Sequence, residues 1–333
     1  HLLRLAGAPR NQEPILPTSL SLSPSLHRAA PVVSALQRRP GKMEHLQDGH
    51  YVRLRSREHG TYLHADEDGH GVSLQHLRAS MNVAWVVHLY DQGNADALAQ
   101  HMLLHSAAYG RYLVATNAPA PLGHRGRRVE QRNYDDQEEV AIRWEAVAAG
   151  ADSGNDVLLR NVAGRHLRNG AWRYLRANGR YIHTGASVDA FDNFSTKMHW
   201  VVEPIPFRAA MPLLRRPNRV RIPFTRRVIA PVLPMPSRVI VYVRAGADGS
   251  RIGRGAFVFE GNYVFDLRKE LIRRLEATMG VSDVAMCVEA GTFGRPTPLV
   301  VDLPRSRQNF HIVVFPVGTP VHAGVRYADV DAV

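Results

Sequence analysis

Gly60-Thr61-Tyr62-Leu63-His64-Ala65, Gly110-Arg111-Tyr112-Leu113-Val114-Ala115 and Gly164-Arg165-His166-Leu167-Arg168-Asn169 are three copies of one glycine–aromatic–leucine signature. A tryptophan closes each copy: Trp85 in Asn82-Val83-Ala84-Trp85-Val86-Val87, Trp144 in Ala141-Ile142-Arg143-Trp144-Glu145, and Trp200 in Met198-His199-Trp200-Val201-Val202. A period of roughly fifty residues, met three times, is the mark of a threefold all-β repeat. Gly60, Gly110 and Gly164 stand where a tight turn needs positive φ, which a residue without Cβ adopts at little cost. Around them the chain alternates, as in Val52-Arg53-Leu54-Arg55, which reads as a half-buried strand.

Three units of about four short strands cannot each bury an apolar face, but around one axis they share a core. Trp85, Trp144 and Trp200, with Leu63, Leu113 and Leu167, are expected to line it. A buried Trp removes on the order of 200 Å² from water, or roughly 5 kcal/mol by area counting, an upper estimate. Trp172 falls outside the pattern and is the tryptophan expected to be exposed.

The C-terminal region has another character. Val239-Ile240-Val241-Tyr242-Val243 and Ala256-Phe257-Val258-Phe259 read as strands, with Ala247-Asp248-Gly249-Ser250 as a hairpin signal and Gly249–Gly255 as a long hairpin. Asp266 is a candidate helix N-cap, Leu267, Leu271, Ile272, Leu275 and Met279 recur at helical spacing, and Gly280 supplies a stop. Val284–Val288, Leu299-Val300-Val301 and Phe310–Phe315 complete a β-β-α-β-β order. One helix across a mixed sheet is a β-grasp, ubiquitin-like arrangement. The end, Ala328-Asp329-Val330-Asp331-Ala332-Val333, lacks the diglycine of a conjugated modifier, so an interaction module is expected.

The reading divides the chain into a leader (1–42), a threefold all-β domain (43–206), a Pro/Arg-rich linker (207–237), a β-grasp domain (238–318) and a tail (319–333). The net charge of +12 is unevenly spread. Residues 1–42 set Arg4, Arg10, Arg28, Arg38, Arg39 and Lys42 against Glu13 alone. Residues 206–238 hold Arg208, Arg215, Arg216, Arg219, Arg221, Arg226, Arg227 and Arg238 with no acid. The remainder is close to neutral, which counts against a broad nucleic-acid surface and leaves the linker as the anionic-surface alternative. Residues 1–42 read either as an organelle transit segment or as translated upstream sequence. The second is preferred, because Met43 directly precedes the first repeat; either way the leader is expected to be disordered. The single Cys287 forms no internal disulfide and fits a reducing, cytoplasmic setting, with the nucleus as alternative and organelle import only if the leader is a transit peptide. No stretch approaches the ~18 apolar residues of a membrane span.

Residues 43–206 resemble the plant domain-of-unknown-function family numbered 569, related to the fascin-type actin-crosslinking β-trefoils. The features that carry the resemblance are Met43-Glu44, Val52-Arg53-Leu54-Arg55-Ser56, Tyr112–Ala115, Leu122-Gly123…Gly126-Arg127-Arg128-Val129, Arg143-Trp144-Glu145 and, in the third unit, Tyr174-Leu175-Arg176-Ala177-Asn178-Gly179. The resemblance implies an all-β β-trefoil, followed here by the smaller α+β domain, and a link to actin filaments. Fascin-like bundlers carry several trefoils whereas one is recognisable here, and bundling needs two simultaneous contacts.

Catalytic machinery is not evident in the sequence. The seventeen histidines are scattered without zinc spacing, and neither a GxSxG elbow nor a Walker loop occurs. Asp66-Glu67-Asp68-Gly69-His70 begins like a calcium loop but lacks the later ligands, so an acidic solvated hairpin is expected. No cofactor or metal is expected, and Cys287 reads as a small buried hydrophobe. The candidate binding patch is His124, Arg125, Arg127 and Arg128 around Gly126, suited to an acidic filament or a phosphate-bearing ligand. The expected function is a non-enzymatic binding or scaffold protein, with actin filaments the candidate partner and a lectin-like trefoil the alternative.

Overall fold

The computed structural model describes residues 44–90, 101–136, 139–150, 156–163, 173–179, 185–190, 195–208, 210–217, 236–275 and 280–332. Twelve strands build the first domain, four per repeat: β1 (Tyr51–Ser56), β2 (Tyr62–Ala65), β3 (Val72–Gln75) and β4 (Trp85–Tyr90); β5 (His101–Ser106), β6 (Tyr112–Pro119), β7 (Arg127–Arg132) and β8 (Trp144–Ala148); β9 (Asp156–Asn161), β10 (Arg173–Asn178), β11 (Gly185–Ala190) and β12 (Trp200–Ile205). The first and last strand of each repeat pair in a closed ring, β1-β4-β5-β8-β9-β12 and back to β1. The middle strands form three hairpins that cap one end, joined where β11 meets β3 and β7. This is a β-trefoil.

The threefold relation holds residue by residue. Trp85 lies opposite Val52 and Ser106, Trp144 opposite Met102 and Asn161, and Trp200 opposite Val157 and Ser56. All three indoles are fully buried in one core. Each N–H donates to the carbonyl of a hairpin leucine: Trp85 to Leu63 (3.0 Å), Trp144 to Leu113 (2.9 Å), Trp200 to Leu175 (3.0 Å). In the third repeat the leucine so bonded is Leu175 of the Tyr174-Leu175 pair. Tyr62 follows Ser56 by six positions and Tyr112 follows Ser106 by six, whereas Tyr174 follows Asn161 by thirteen, so the third repeat carries an insertion that displaces the signature. Gly60 and Gly110 have φ of 65° and 69° and donate back to Ser56 and Ser106. Gly164, Leu167 and Trp172 lie outside the described residues, as do residues 1–43.

Beyond the trefoil, β13 (Phe207–Arg208) leads to the second domain: β14 (Ser237–Ala245), β15 (Arg251–Glu260), α1 (Val264–Arg274), β16 (Val284–Glu289), β17 (Thr297–Pro298) and β18 (Phe310–Pro316). The sheet order is β15-β14-β18-β16-β17, with β14 and β18 parallel, and Val264, Leu267 and Leu271 of α1 pack on Ile240, Phe257, Met286 and Ile312. This is the ubiquitin-like β-grasp. Several local expectations are corrected. Asp266 is not the N-cap: the helix begins at Val264, whose N–H is capped from afar by Asp302 Oδ1 (3.1 Å). The helix ends at Arg274, and Gly280 instead opens a short 3₁₀ turn. The turn is Gly246–Ser250, and Arg251–Gly255 are already strand. Leu299-Val300-Val301 is not a strand: the edge strand is Thr297–Pro298, and its ladder ends with Leu299 N–H donating to Met286 O (2.9 Å).

The linker and tail are also more structured than their composition suggests. Leu214 packs on the second core, and Met211 joins a cluster with Cys287 and Phe315; residues 218–235 are outside the described set. The tail forms α2 (Pro320–Ala323) and β19 (Tyr327–Ala328), which pairs with β13 and straps the trefoil. Arg53, expected half-exposed, is fully buried beneath this strap and donates to Val330 O (2.6 Å) and Arg78 O (3.1 Å).

The described residues cluster as one compact unit. The β-grasp docks on trefoil turns: Arg295 bonds Asp48 (2.8 Å), its backbone N–H donates to Tyr112 Oη (3.0 Å), and Thr297 Oγ1 meets His105 Nδ1 (3.1 Å). The acidic turn expected to be solvated is held there too, Glu67 pairing with Arg305 (2.8 Å). Burial, reinforced by Arg295, pushes His88 down to about 4; burial, then His88 and Arg295, push His105 down to about 3. Both folded values lie below the ordinary 6.5, so the unfolded chain binds the extra protons. Stability present above pH 6.5 is thus lost as pH falls toward 4 and then 3. Urea midpoints are expected to drop steeply across that window, and His105→Gln should flatten the slope. An unchanged slope would remove His105 as the cause.

Candidate functional site

The β6–β7 hairpin carries the four sequence-designated residues and places them beside the third repeat. Its turn closes through Ala120 N–H to Gly126 O (3.1 Å) and His124 N–H to Pro121 O (2.9 Å). Gly126 sits at φ 85°, and a Cβ there would stand 2.1 Å from Val188 O. Only a glycine lets β11 come this close. The pairing of Ser187 with Arg128 and Val188 with Arg127 follows, sealed by Ser187 Oγ donating to Arg125 O (2.7 Å).

The close approach gathers arginines from two repeats. Arg125 Nε and Arg176 Nη1 both face Asp189 Oδ2, at 3.6 and 3.9 Å. Arg128 and Arg132 share Glu130, at 3.5 and 2.7 Å. Arg127 donates to Asn117 O (2.9 Å) and Arg173 to Asn117 Oδ1 (3.1 Å), so two guanidiniums converge on one neutral amide residue. Burial, and then the charge of Arg127, hold the Arg173 guanidinium below its usual pKa. Four of the six arginines thus pair with the carboxylates Asp189 and Glu130, and the other two meet at Asn117. Arg125 remains 71% exposed at its side chain, and Leu122 at the turn is 96% exposed. Arg173 is buried and the Arg176 side chain only 11% exposed, so the accessible cations are Arg125, Arg127, Arg128 and Arg132, which with Leu122 offer an anion-accepting edge with one apolar knob.

The sequence designates His124, Arg125, Arg127 and Arg128 as a candidate patch, and the structure sets Arg132, Arg173 and Arg176 near it. Period-two alternation in Arg173-Tyr174-Leu175-Arg176 names residues on each face of a strand, but not that β11 lies beside β7. His124 packs against Gly185 rather than standing free. The remaining designated residues, Trp85, Trp144, Trp200, Leu63 and Leu113, are all in the core and line no cleft. Cys287 is buried, and burial pushes its thiol up to about 12. No cluster of metal-ligating side chains occurs among the described residues, and no helix among them is long and apolar enough to cross a membrane.

Residues 43–202 match the model of a β-trefoil domain of unknown function (DUF569), and residues 236–315 match that of the DUF569-associated ubiquitin-like domain. No curated protein matches the chain. Among solved structures, the SDF2-like protein of Arabidopsis thaliana is 16% identical at a TM-score of 0.36, covering 46% of this chain and 92% of that one. A ricin B-like lectin of Macrolepiota procera, solved with lactose, is 17% identical at a TM-score of 0.34, covering 47% and 96%. A Caenorhabditis elegans protein of unknown function is 19% identical at a TM-score of 0.35, covering 49% and 98%.

Proposed function

We propose that this chain, a DUF569 β-trefoil followed by its associated ubiquitin-like domain, is a non-enzymatic binding module that docks an acidic protein surface. The observation that carries the reading is the row of accessible arginines Arg125, Arg127, Arg128 and Arg132 on the β6–β7 hairpin, backed by Arg173 and Arg176 of the third repeat. Positive charge in such excess costs the isolated fold, and an acidic partner recovers that cost. The actin filament is the first candidate, through the resemblance of residues 43–206. Cosedimentation at low salt, where attraction is least screened, is the test. The chain should pellet with filaments, release with added salt, and lose about tenfold in affinity in the Arg125→Ser/Arg128→Ser variant, whose two side chains are exposed. Failure to pellet at low salt removes actin; pelleting indifferent to the substitutions removes the arginine cluster.

A sugar-binding reading would place exposed aromatics at equivalent positions of the three repeats. Trp85, Trp144 and Trp200 occupy the equivalent positions and are fully buried, each N–H already bonded. That arrangement counts against stacking of a sugar ring on the repeats.

A further inference from the structure

Strand β15 is the end strand of the ubiquitin-like sheet, ten residues long and, among the described residues, paired on one side only, with β14. It lies at the edge opposite β17, and β17 is the strand whose Thr297 contacts the trefoil. A long open edge with apolar side chains is a template for another strand. Val258 is 62% exposed on it, in line with exposed Ala256, Arg254 and Glu260. Beside the edge, between β15 and α1, runs a groove of about 610 Å³ lined by Phe259, Glu260, Asp266, Lys269, Glu270 and Arg273. Its lining mixes both signs of charge, which suits neither a wholly acidic nor a wholly basic peptide.

A second copy of this chain does suit it. Pair β15 antiparallel with itself so that Phe257 sits on the twofold axis. Arg254 then faces Glu260 of the second copy, Ala256 faces Val258, and Gly255 faces Phe259. Every pair occurs twice. Moving the axis one residue either way keeps each side chain on its face but sets Arg254 against Val258 or against Asn262 beyond the strand end. The register centred on Phe257 alone pairs the opposite charges.

We infer that the protein self-associates through β15 into a twofold dimer, in which the two ubiquitin-like sheets become one continuous sheet. The dimer is independent of the acidic-partner reading. Joined to that reading, it supplies two arginine clusters in one particle, the bivalency that filament bundling requires.

Sedimentation velocity on the full chain over a concentration series is the test. Arg254→Glu and Glu260→Arg alone should each weaken the dimer about tenfold, because like charges then oppose each other at two symmetric positions. The double exchange should restore it. Circular dichroism on each variant checks that the fold is kept. A chain monomeric throughout, a dimer indifferent to both single exchanges, or a double exchange without recovery would each overturn the inference. Single-filament binding by a monomeric variant would separate its failure from failure of the acidic-partner reading.

Discussion

Trp144→Ala is expected to lose about 3–5 kcal/mol of folding stability, a large share of the ~5–15 kcal/mol a domain of ordinary stability has. The indole is completely buried, so no solvent-exposed part softens the loss. It lies in the ring between Met102 and Asn161, where close packing on both sides prevents collapse into the vacancy. Removing its N–H also leaves Leu113 O without this donor, at 2.9 Å in the native fold. Trp85→Ala and Trp200→Ala should give similar losses, because each indole makes the same bond to Leu63 or Leu175. Trp144→Phe separates the terms: it keeps most of the apolar volume and orphans the carbonyl, for about 1–2 kcal/mol plus a smaller cavity. Urea unfolding followed by circular dichroism is the measurement. A loss below about 1 kcal/mol at any of the three sites would mean that the threefold core is not what holds the trefoil together.

What could be read in the chain depended on how far away a residue's partner lies. Tyr62-Leu63, Tyr112-Leu113 and the three tryptophans were legible because burial imposes a local period of two, and the repeat states that period three times. In the third repeat spacing alone pointed to Gly164–Leu167, whereas the bond from the Trp200 N–H, which no local pattern announces, goes to Leu175. Arg53 looked exposed because alternation says outward. What covers it is Val330, at the far end of the chain. Asp302 caps α1 from 38 residues downstream and leaves no signal at the helix start, where Asp266 is a local decoy. The candidate site divides along the same line. Arg125, Arg127 and Arg128 are contiguous and visible, whereas Arg173 and Arg176 join them only through the pairing of β11 with β7.

That pairing turns on a single glycine, and Gly126→Ala should expose it. Two penalties act at once. An alanine at φ 85° is strained by roughly 1 kcal/mol. Its Cβ would also stand 2.1 Å from Val188 O and 3.0 Å from Asp189 Cα, both backbone atoms that no rotamer change can move. Strand β11 must retreat, breaking the Ser187–Arg128 register and the Ser187 Oγ bond to Arg125 O. A total loss of about 2–4 kcal/mol is expected. Gly123→Ala is the control, since Gly123 has the same φ of 85° with nothing within 4 Å of the added Cβ. It should cost only the strain, about 1 kcal/mol. The two variants should differ in function as well. With β11 displaced, Arg173 and Arg176 leave Arg125 and Arg127, so Gly126→Ala should elute from a polyanion resin at lower salt than Gly123→Ala. Equal stability losses would mean the close approach costs nothing. Equal elution would mean the arginines act singly rather than as a surface assembled by the fold.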